Sequence, residues 1–272
     1  MELACVLREA LACLAKLRGQ ALVLKIGGEV IISPQFKQVV SDIALLHLAG
    51  LPITLIFGAG QQIDAEMRKA GLEIIKKDGL RVTPLKAIPI IKDVCDSIFL
   101  EISRVFAEVG VKCNFLPPNR IIASPLSSPD NNYGSTGRAD KMSVEGVKQT
   151  EDLKAITVAS SLASYKETYL NVNADEVAYI VAKETKTEKL IFLTGVDGVQ
   201  VKDGNTIFQI TAADAALLIK NGTVSGGMIP KLEFAVKAFA DGVRSCHIVN
   251  YKRGHLLEEI LTTTRAGTII VP

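Results

Sequence analysis

The stretch Ala21-Leu22-Val23-Leu24-Lys25-Ile26-Gly27-Gly28 decides the fold that we predict for this chain. Five of its first six residues are apolar, which predicts a buried strand with Lys25 near its carboxyl end. Two glycines follow, where the backbone can turn and present N–H groups that no Cβ obstructs. A cation beside such donors at the exit of a strand favours phosphoryl oxygens as ligands. An ordinary strand-to-helix turn with a solvated lysine is the alternative at this point.

Composition limits the classes of protein to which the chain can belong. It has 272 residues, 48% of them hydrophobic, which suffices for one broad α/β domain or two lobes that share a sheet. A net charge of +2 gives no overall field that would favour nucleic acid or a membrane as a partner. The five cysteines are scattered without a C-x-x-C pair, so we expect reduced thiols in a cytoplasmic protein. No apolar run approaches the ~18 residues of a membrane-spanning helix, and the start of the chain lacks a signal-peptide pattern.

The strand-and-glycine pattern recurs along the chain. Pro52-Ile53-Thr54-Leu55-Ile56-Phe57 predicts a buried strand, and a helix follows the turn Gly58-Ala59-Gly60. Residues 190–193 predict another strand, which a third glycine-rich turn follows at 194–199. Repeated strand–turn–helix units predict a parallel sheet with right-handed crossovers. The first two glycine turns then lie together at the carboxyl edge of the sheet, where open α/β folds bind ligands.

Apolar spacing predicts the other elements. Leucines spaced near 3.6 over residues 1–18 predict an amphipathic helix whose stripe packs either on its own domain or on a second subunit. Residues 117–140 hold four of the ten prolines and predict hairpins or a mobile flap. The remaining helices are predicted over 33–49, 84–108, 174–185, 211–220 and 227–240, and the remaining strands over 111–116, 155–160, 245–249 and 268–271.

Polar side chains near these turns are candidates for binding. Arg81 follows the hairpin turn Asp78-Gly79, where it is either a solvated edge charge or a planar fork for a carboxylate. Two amides and a carboxylate are packed into Asn171-Val172-Asn173-Ala174-Asp175, more than a helix cap needs. Lys231 lies in the first turn of a predicted helix, where it opposes the helix dipole and so indicates an anion nearby.

Five motifs together resemble the amino acid kinase family, in the family's order and over nearly the whole chain. They are Lys25-Ile26-Gly27-Gly28, Gly58-Ala59-Gly60, Gly79-Leu80-Arg81-Val82-Thr83, Asn171-Val172-Asn173-Ala174-Asp175 and Gly226-Gly227-Met228-Ile229-Pro230-Lys231. The third and fourth are typical of the branch that acts on N-acetylglutamate. The resemblance implies a three-layer α/β/α sandwich with a mainly parallel sheet that two lobes share, and a homo-oligomer, either a dimer or a hexamer. It divides the chain into an N-terminal helix at 1–19 that could serve in oligomerisation, a substrate-binding lobe at 20–169 and a nucleotide-binding lobe at 170–272.

The resemblance also implies an activity, the ATP- and Mg²⁺-dependent phosphorylation of the side-chain carboxylate of N-acetyl-L-glutamate in arginine biosynthesis. Lys25 and Lys231 would flank the transferred phosphoryl group and Asp175 would hold both ammonium groups, with no protein side chain as a metal ligand. The substrate-binding residues would be Ala59, Gly60, Arg81, Asn171 and Asn173. The nucleotide-binding residues would be Gly27, Gly28, Thr194, Gly195, Val196, Gly198, Ser225 and Gly227. Two alternatives stay open: a non-catalytic or regulatory kinase-like domain that binds acetylglutamate or arginine, and a kinase for a related acidic amino acid derivative.

Two stretches depart from the family's pattern. The second turn reads Phe57-Gly58-Ala59-Gly60 where members usually have His-Gly-Gly-Gly, and a Phe57 ring that filled the pocket would exclude a kinase. Arginine-inhibited, ring-hexameric members have an acidic residue and glycines before their last strand. Here Thr264 takes the place of the acid and Arg265 that of a glycine. Because a positive side chain repels arginine, we predict assembly without strong control by arginine.

Overall fold

A computed structural model describes residues 3–127, 132–151, 153–201, 204–253 and 255–271 of the chain. The helices in these ranges are α1 Leu3–Leu17, α2 Gly28–Ile31, α3 Phe36–Leu48, α4 Gly60–Lys69, α5 Ile88–Glu108, α6 Val144–Thr150, α7 Ala174–Glu184, α8 Ala212–Lys220, α9 Met228–Ala240 and α10 Leu256–Leu261. The strands are β1 Leu22–Ile26, β2 Ile53–Phe57, β3 Ile75–Lys77, β4 Leu80–Val82, β5 Cys113–Phe115, β6 Ile121–Pro125, β7 Gly137–Met142, β8 Ile156–Ala159, β9 Leu162–Tyr165, β10 Thr168–Asn171, β11 Lys189–Thr194, β12 Val199–Gln200, β13 Thr206–Ile207, β14 Gln209–Thr211, β15 Ser245–Asn250 and β16 Gly267–Val271.

Eight strands form a central sheet in the order β14-β16-β15-β11-β1-β2-β8-β5. Its pairs are parallel except for β15 with β16, which is antiparallel. Strand β1 lies in the middle, where Lys25 is in register with Ile56 of β2 and Phe192 of β11. The mainly parallel sheet is confirmed, and the three glycine turns leave three adjacent strands at the same edge.

Helices cover both faces of this sheet, so its central strands are buried on both sides. In β1, Leu22, Leu24 and Ile26 belong to one hydrophobic core, whereas Val23 belongs to the other. Burial on both faces explains why the strand reads as an almost continuous apolar run. Residues of α3, α5 and α10 complete the first core, and residues of α7 and α9 complete the second. The predicted three-layer α/β/α arrangement is confirmed.

The segment after β1 differs from the prediction. The glycine turn leads directly into the short helix α2, and α3 begins at Phe36 rather than at Ser33. The Ser33 hydroxyl donates to the carbonyl of Val30 at 2.7 Å. This residue therefore closes α2, and α3 begins three residues later than predicted.

A second sheet of four strands, in the order β10-β9-β6-β7, includes most of the segment predicted as hairpins or a flap. Strands β6 and β7 pair antiparallel, which confirms a hairpin, while residues 128–131 of the connecting loop lie outside the described residues. Strands β9 and β10 were not predicted, because the turn between them uses Lys166 at φ +51° instead of a glycine. Asn171 is the last residue of β10, and it lies at the edge of the central sheet just before α7 begins.

Helix α1 packs on the rest of the chain through its carboxyl end. Leu17 is buried and Leu14 packs against the first core, whereas Leu3, Leu7 and Leu11 are exposed. The last turn thus packs on its own domain, and the leucines of the earlier turns are uncovered in a single chain. Among the helices of the described ranges, none combines the length and the apolar composition that crossing a membrane requires.

Candidate active site

Three predicted residues that lie far apart in the sequence meet at the carboxyl edge of the central sheet. Lys25 is near the end of β1, Asp175 lies in the first turn of α7 and Lys231 in the first turn of α9. The Nζ atom of Lys25 is 2.9 Å from Oδ1 of Asp175, and the Nζ atom of Lys231 is 2.9 Å from Oδ2. One carboxylate therefore holds two ammonium groups at its two oxygens.

Local structure fixes the members of this cluster. The side-chain oxygen of Asn173 accepts a hydrogen bond from the N–H of Asp175 at 2.9 Å and so caps α7. The carboxylate of Asp175 lies at the N-terminus of α7, where the helix dipole favours a negative charge. Lys231 also donates to the carbonyl of Gly227 at 3.3 Å, which orients its ammonium group within the first turn of α9.

The charges of the cluster do not balance. All three side chains are buried. Burial acts to raise the pKa of Asp175, but the charges of Lys25 and Lys231 outweigh it, and the pKa is lowered. The pKa of Lys231 is also lowered, first by burial and then by the charge of Lys25. Two cations share one carboxylate, so the cluster has one positive charge in excess and favours an anion beside it.

A cavity of about 260 Å³, which we call the Lys25 cavity, opens beside this cluster. The first two glycine turns line it with backbone groups. The side-chain amide of Gln62 donates to the carbonyl of Gly28 at 2.9 Å, and its oxygen lies where a Cβ of residue 28 would be, so a larger residue at position 28 would displace the Gln62 side chain. The predicted residues that line the Lys25 cavity are Lys25, Gly27, Gly28, Ala59, Gly60, Arg81, Asn171 and Asn173.

A second charged cluster borders the Lys25 cavity, and the sequence patterns did not point to two of its members. Arg81 donates through Nη1 to Asp64 and through Nη2 to the carbonyl of Gly60 at 2.9 Å. The Nζ atom of Lys76 lies 3.3 Å from the other carboxylate oxygen of Asp64. Here again one carboxylate is shared by two cations. Asp64 lies one helical turn after Gly60, and this spacing is the signal that could have identified it.

Hydroxyl groups connect Arg81 to Asn171. The Nδ2 atom of Asn171 donates to Oγ1 of Thr83 at 3.1 Å. The hydroxyl of Thr136 lies 3.0 Å from the same Thr83 oxygen and hydrogen-bonds to the carbonyl of Arg81. Thr136 lines the Lys25 cavity together with Ser161, and neither was predicted. This network fixes the relative positions of the two strands that present Arg81 and Asn171.

A larger cavity of about 530 Å³, the Lys231 cavity, lies on the other side of the cluster. Its volume is within the range of small-molecule sites. Of the residues predicted to bind a nucleotide, those that line it are Thr194, Val196, Gly198, Ser225 and Gly227. Gly27 and Gly28 line the Lys25 cavity instead, since β1 ends there. Gly195 is among the described lining residues of neither cavity, and a Cβ on it would lie 3.6 Å from the ring of Tyr251.

The two cavities adjoin at the Asp175 cluster. Lys25 lines one and Lys231 lines the other, while Glu29 lines both. Phe57 fills neither of them, because its ring is fully buried in the first hydrophobic core. In the part of the chain that the structure describes, no group of three or more His, Cys, Asp or Glu side chains is placed to hold a metal ion.

Sequence comparisons relate the chain to known proteins. The profile of the amino acid kinase family matches residues 20–250. An acetylglutamate kinase of Sinorhizobium fredii is 34% identical over 287 residues, which cover 98% of this chain and 96% of the relative. An amino-acid acetyltransferase of Shewanella oneidensis is 29% identical over 268 residues, which cover 93% of this chain but 60% of the relative.

Solved structures share the fold. The N-acetylglutamate synthase from Neisseria gonorrhoeae, complexed with coenzyme A and N-acetyl-glutamate, has a TM-score of 0.91 and 24% identity. The likeness covers 100% of this chain and 64% of the synthase chain. At that identity it concerns the fold alone. This chain therefore spans less than two thirds of the synthase and of the acetyltransferase, and nearly the full length of the kinase.

Proposed function

The chain belongs to the amino acid kinase family, and we propose that it transfers the γ-phosphoryl group of ATP to the side-chain carboxylate of N-acetyl-L-glutamate. The product would be N-acetylglutamyl phosphate. The observation that carries the proposal is the Lys25–Asp175–Lys231 cluster at the boundary of two cavities. The 34% identity with an acetylglutamate kinase over nearly the full length of both chains supports the same activity.

The cluster suits phosphoryl transfer because it holds positive charge where negative charge develops. In the transition state the charge spreads over the three equatorial oxygens of the phosphoryl group. Lys25 would donate to them from the acceptor side and Lys231 from the nucleotide side. Asp175 holds both ammonium groups before the substrates bind. Charge that is preorganised in this way needs no rearrangement during the reaction.

The Lys25 cavity suits a small dicarboxylate. The Asp175 cluster leaves one positive charge in excess at the cavity, and the Arg81–Asp64–Lys76 cluster leaves a second. N-acetylglutamate has two carboxylates, one to be phosphorylated beside Lys25 and one to be bound by Arg81 and Asn171. An arginine fork matches the second role because it can bind both oxygens of a carboxylate.

The reaction needs positioning more than proton transfer. The acceptor carboxylate is already ionised at pH 7, so no general base is required. One of its oxygens attacks the γ-phosphorus, the bond from phosphorus to the β–γ bridging oxygen breaks, and ADP leaves with that electron pair. The protein must hold two repelling anions in line. A divalent cation such as Mg²⁺, when bound with ATP, supplies further neutralisation of phosphate charge.

We assign ATP to the Lys231 cavity. The third glycine turn at 194–198 and the segment 223–228 line it, and both belong to the proposed nucleotide-binding lobe at 170–272. The Lys25 cavity is lined mainly from the proposed substrate-binding lobe at 20–169. The phosphates of ATP would point toward Lys231 and Glu29, where the two cavities adjoin.

A second candidate is a kinase-like domain that binds N-acetylglutamate without phosphorylating it. The match to an amino-acid acetyltransferase, 29% identical over 93% of this chain, favours this second candidate. Against it, both lysines and Asp175 are in contact between two cavities. A domain that only binds an effector has no need of that arrangement.

Kinetics with the purified chain test the proposal. ATP and Mg²⁺ are supplied with N-acetylglutamate, N-acetylaspartate or an N-acetylated aminoadipate, ADP is followed by a coupled assay, and the acyl phosphate is trapped as a hydroxamate. We expect equal amounts of ADP and hydroxamate, with N-acetylglutamate as the preferred acceptor. Binding of N-acetylglutamate without ADP release would favour the second candidate. A preference for the aminoadipate compound would reassign the acceptor.

A further inference from the structure

Glu29 is an acidic residue in a site that otherwise favours anions. It follows the Gly27-Gly28 turn, lies in the first turn of α2, and lines both the Lys25 cavity and the Lys231 cavity. Its carboxylate folds back over Gly27 and occupies the position that a Cβ of residue 27 would take. The glycine therefore permits the conformation that keeps this carboxylate where the cavities adjoin.

Within the described ranges, the Glu29 carboxylate has neither a hydrogen bond nor an ion pair. The nearby ammonium groups of Lys25 and Lys231 contact Asp175 instead. Glu29 is nevertheless within electrostatic reach of Lys231. Burial and the charge of Lys25 lower the pKa of Lys231, while the charges of Asp175 and Glu29 act to raise it. The helix dipole does not explain why an acidic residue is present here, because α2 has only four residues and its dipole is small.

A lone carboxylate at this position opposes the binding of a polyphosphate, because like charges repel across a partly buried site. The conflict disappears when a cation lies between the carboxylate and the phosphates. In kinase sites Mg²⁺ is commonly bound by one or two carboxylates together with the phosphates of the substrate. The residues at the boundary of the cavities therefore fit a divalent cation that arrives with the nucleotide.

We propose that the Glu29 carboxylate binds the divalent cation that accompanies the nucleotide. The inference rests on the proposed function, since it requires the Lys231 cavity to hold a nucleotide. It also revises the prediction that no protein side chain would be a metal ligand. Glu29 would thereby make nucleotide binding depend on the metal, because the same carboxylate repels the free nucleotide and attracts its metal complex.

The test is calorimetric titration of the wild type and of Glu29→Gln with AMP-PNP, a non-hydrolysable ATP analogue. Each titration is run once with Mg²⁺ and once with EDTA. With Mg²⁺, we expect the variant to bind about 10-fold more weakly, as for the loss of a residue that supports a metal. With EDTA, we expect it to bind on the order of 3-fold more tightly, since the repelling charge is gone. Affinity changes of opposite sign with Mg²⁺ and with EDTA are what loss of a metal ligand predicts.

Two controls keep the outcomes separate. Glu73→Gln removes one negative charge at an exposed position and should change neither affinity. Thermal unfolding of Glu29→Gln checks that the variant is folded. Glu29→Ala repeats the titrations without the glutamine amide, which could itself bind a phosphate or the metal. An equal change, or no change, in the two solutions would overturn the role of Glu29 while leaving the kinase proposal intact. A wild type that binds AMP-PNP in neither solution would overturn the proposed function itself.

Discussion

The Nζ atom of Lys231 lies 2.9 Å from Oδ2 of Asp175, although 56 positions separate the two residues in the sequence. The contact joins the first turns of α7 and α9, and Lys25 binds the other oxygen of the same carboxylate. The Asp175 carboxylate thus holds together two buried ammonium groups that would otherwise repel each other. These three side chains carry one positive charge in excess where the two cavities adjoin, and the Glu29 carboxylate lines the same boundary, which is where a phosphoryl group would cross.

Replacing Lys231 with alanine tests the catalytic role of this cluster. Lys231→Ala should lower kcat by at least ~100-fold, because loss of one preorganised donor to a transition-state oxyanion has an effect of that size. Lys25→Ala should have a similar effect. Steady-state kinetics give the measurement, and Lys237→Ala, at an exposed position of the same helix α9, is the control. A Lys231→Ala enzyme with unchanged kcat would contradict the role.

Replacing Asp64 with asparagine tests how the Arg81 fork is held. Asp64 accepts from Arg81 and lies 3.3 Å from Nζ of Lys76, so the variant loses the charge that orients both cations. We expect the KM for N-acetylglutamate to rise ~10-fold or more, since hydrogen bonds to charged groups contribute ~1.5–3 kcal/mol, while the KM for ATP stays the same. Glu66→Gln, in an exposed pair with Lys69 on the same helix, is the matched control. An unchanged KM for the acceptor would show that Arg81 is oriented by other contacts.

The sequence was sufficient for the parts of this site that lie on glycine turns. Strands such as β1 and β2 are almost entirely apolar and lead into glycine turns, so a parallel sheet with these turns at one edge follows from local patterns. The spacing from Gly60 places Asp64 near the second glycine turn but does not identify its partners, and Lys76 is an isolated charge in an exposed hairpin. Their function appears only when α4 and β3 come together across Arg81. No local stretch of the sequence predicts contacts of this kind, because they join residues from separate elements.

Glu176 should make stability depend on pH. Burial raises its pKa to about 7 from an ordinary 4.5, although the N–H of Ala139 and the charges of Arg138 and Lys237 act to lower it. Between these values the folded state binds more protons than the unfolded state, so the free energy of unfolding falls as pH rises through this range. Glu176→Gln removes the effect.

We therefore expect Glu176→Gln to be stabilised relative to the wild type at about pH 8 and much less so at about pH 5. Urea unfolding at both pH values measures the difference. Glu167→Gln, at an exposed position, should show no such trend. A stability difference that is the same at both pH values would show that Glu176 has an ordinary pKa in the folded chain.

Helix α1 should mediate self-association through its earlier turns, which is one of the two roles that the sequence leaves open for it. Leu3, Leu7 and Leu11 recur at intervals of four on one face of the helix and are exposed in the single chain. Burying such side chains stabilises an interface by ~1.5–3 kcal/mol each. Leu7→Asp combined with Leu11→Asp should lower the molar mass measured by light scattering, whereas Arg8→Asp, which alters an exposed position of the same helix but removes no leucine, should not. A monomeric wild type would refute the prediction.

A third cavity, of about 390 Å³, bears on control by arginine. It lies between α1, α10 and the segment before β16, and its lining includes Lys16, Lys189, Glu259, Thr264 and Arg265. The carboxylate of Glu259 is already occupied. One oxygen lies 2.7 Å from Nδ1 of His247, and the other accepts from the N–H groups of Ala266 and Gly267 at 2.8 and 3.1 Å.

Arginine at low millimolar concentration should therefore leave the activity unchanged. A guanidinium group needs a free carboxylate, but Glu259 is engaged and Glu188, which also lines the cavity, is paired with Arg244 at 3.4 Å. Residue 264 is a threonine, and Arg265 adds a repelling charge. The measurement is the initial rate of ADP formation with increasing arginine, with citrulline as an uncharged control of similar shape. The double variant Thr264→Glu and Arg265→Gly supplies an acid and removes the repulsion, so it should gain inhibition by arginine but not by citrulline. Inhibition of the wild type by arginine but not by citrulline would contradict the prediction.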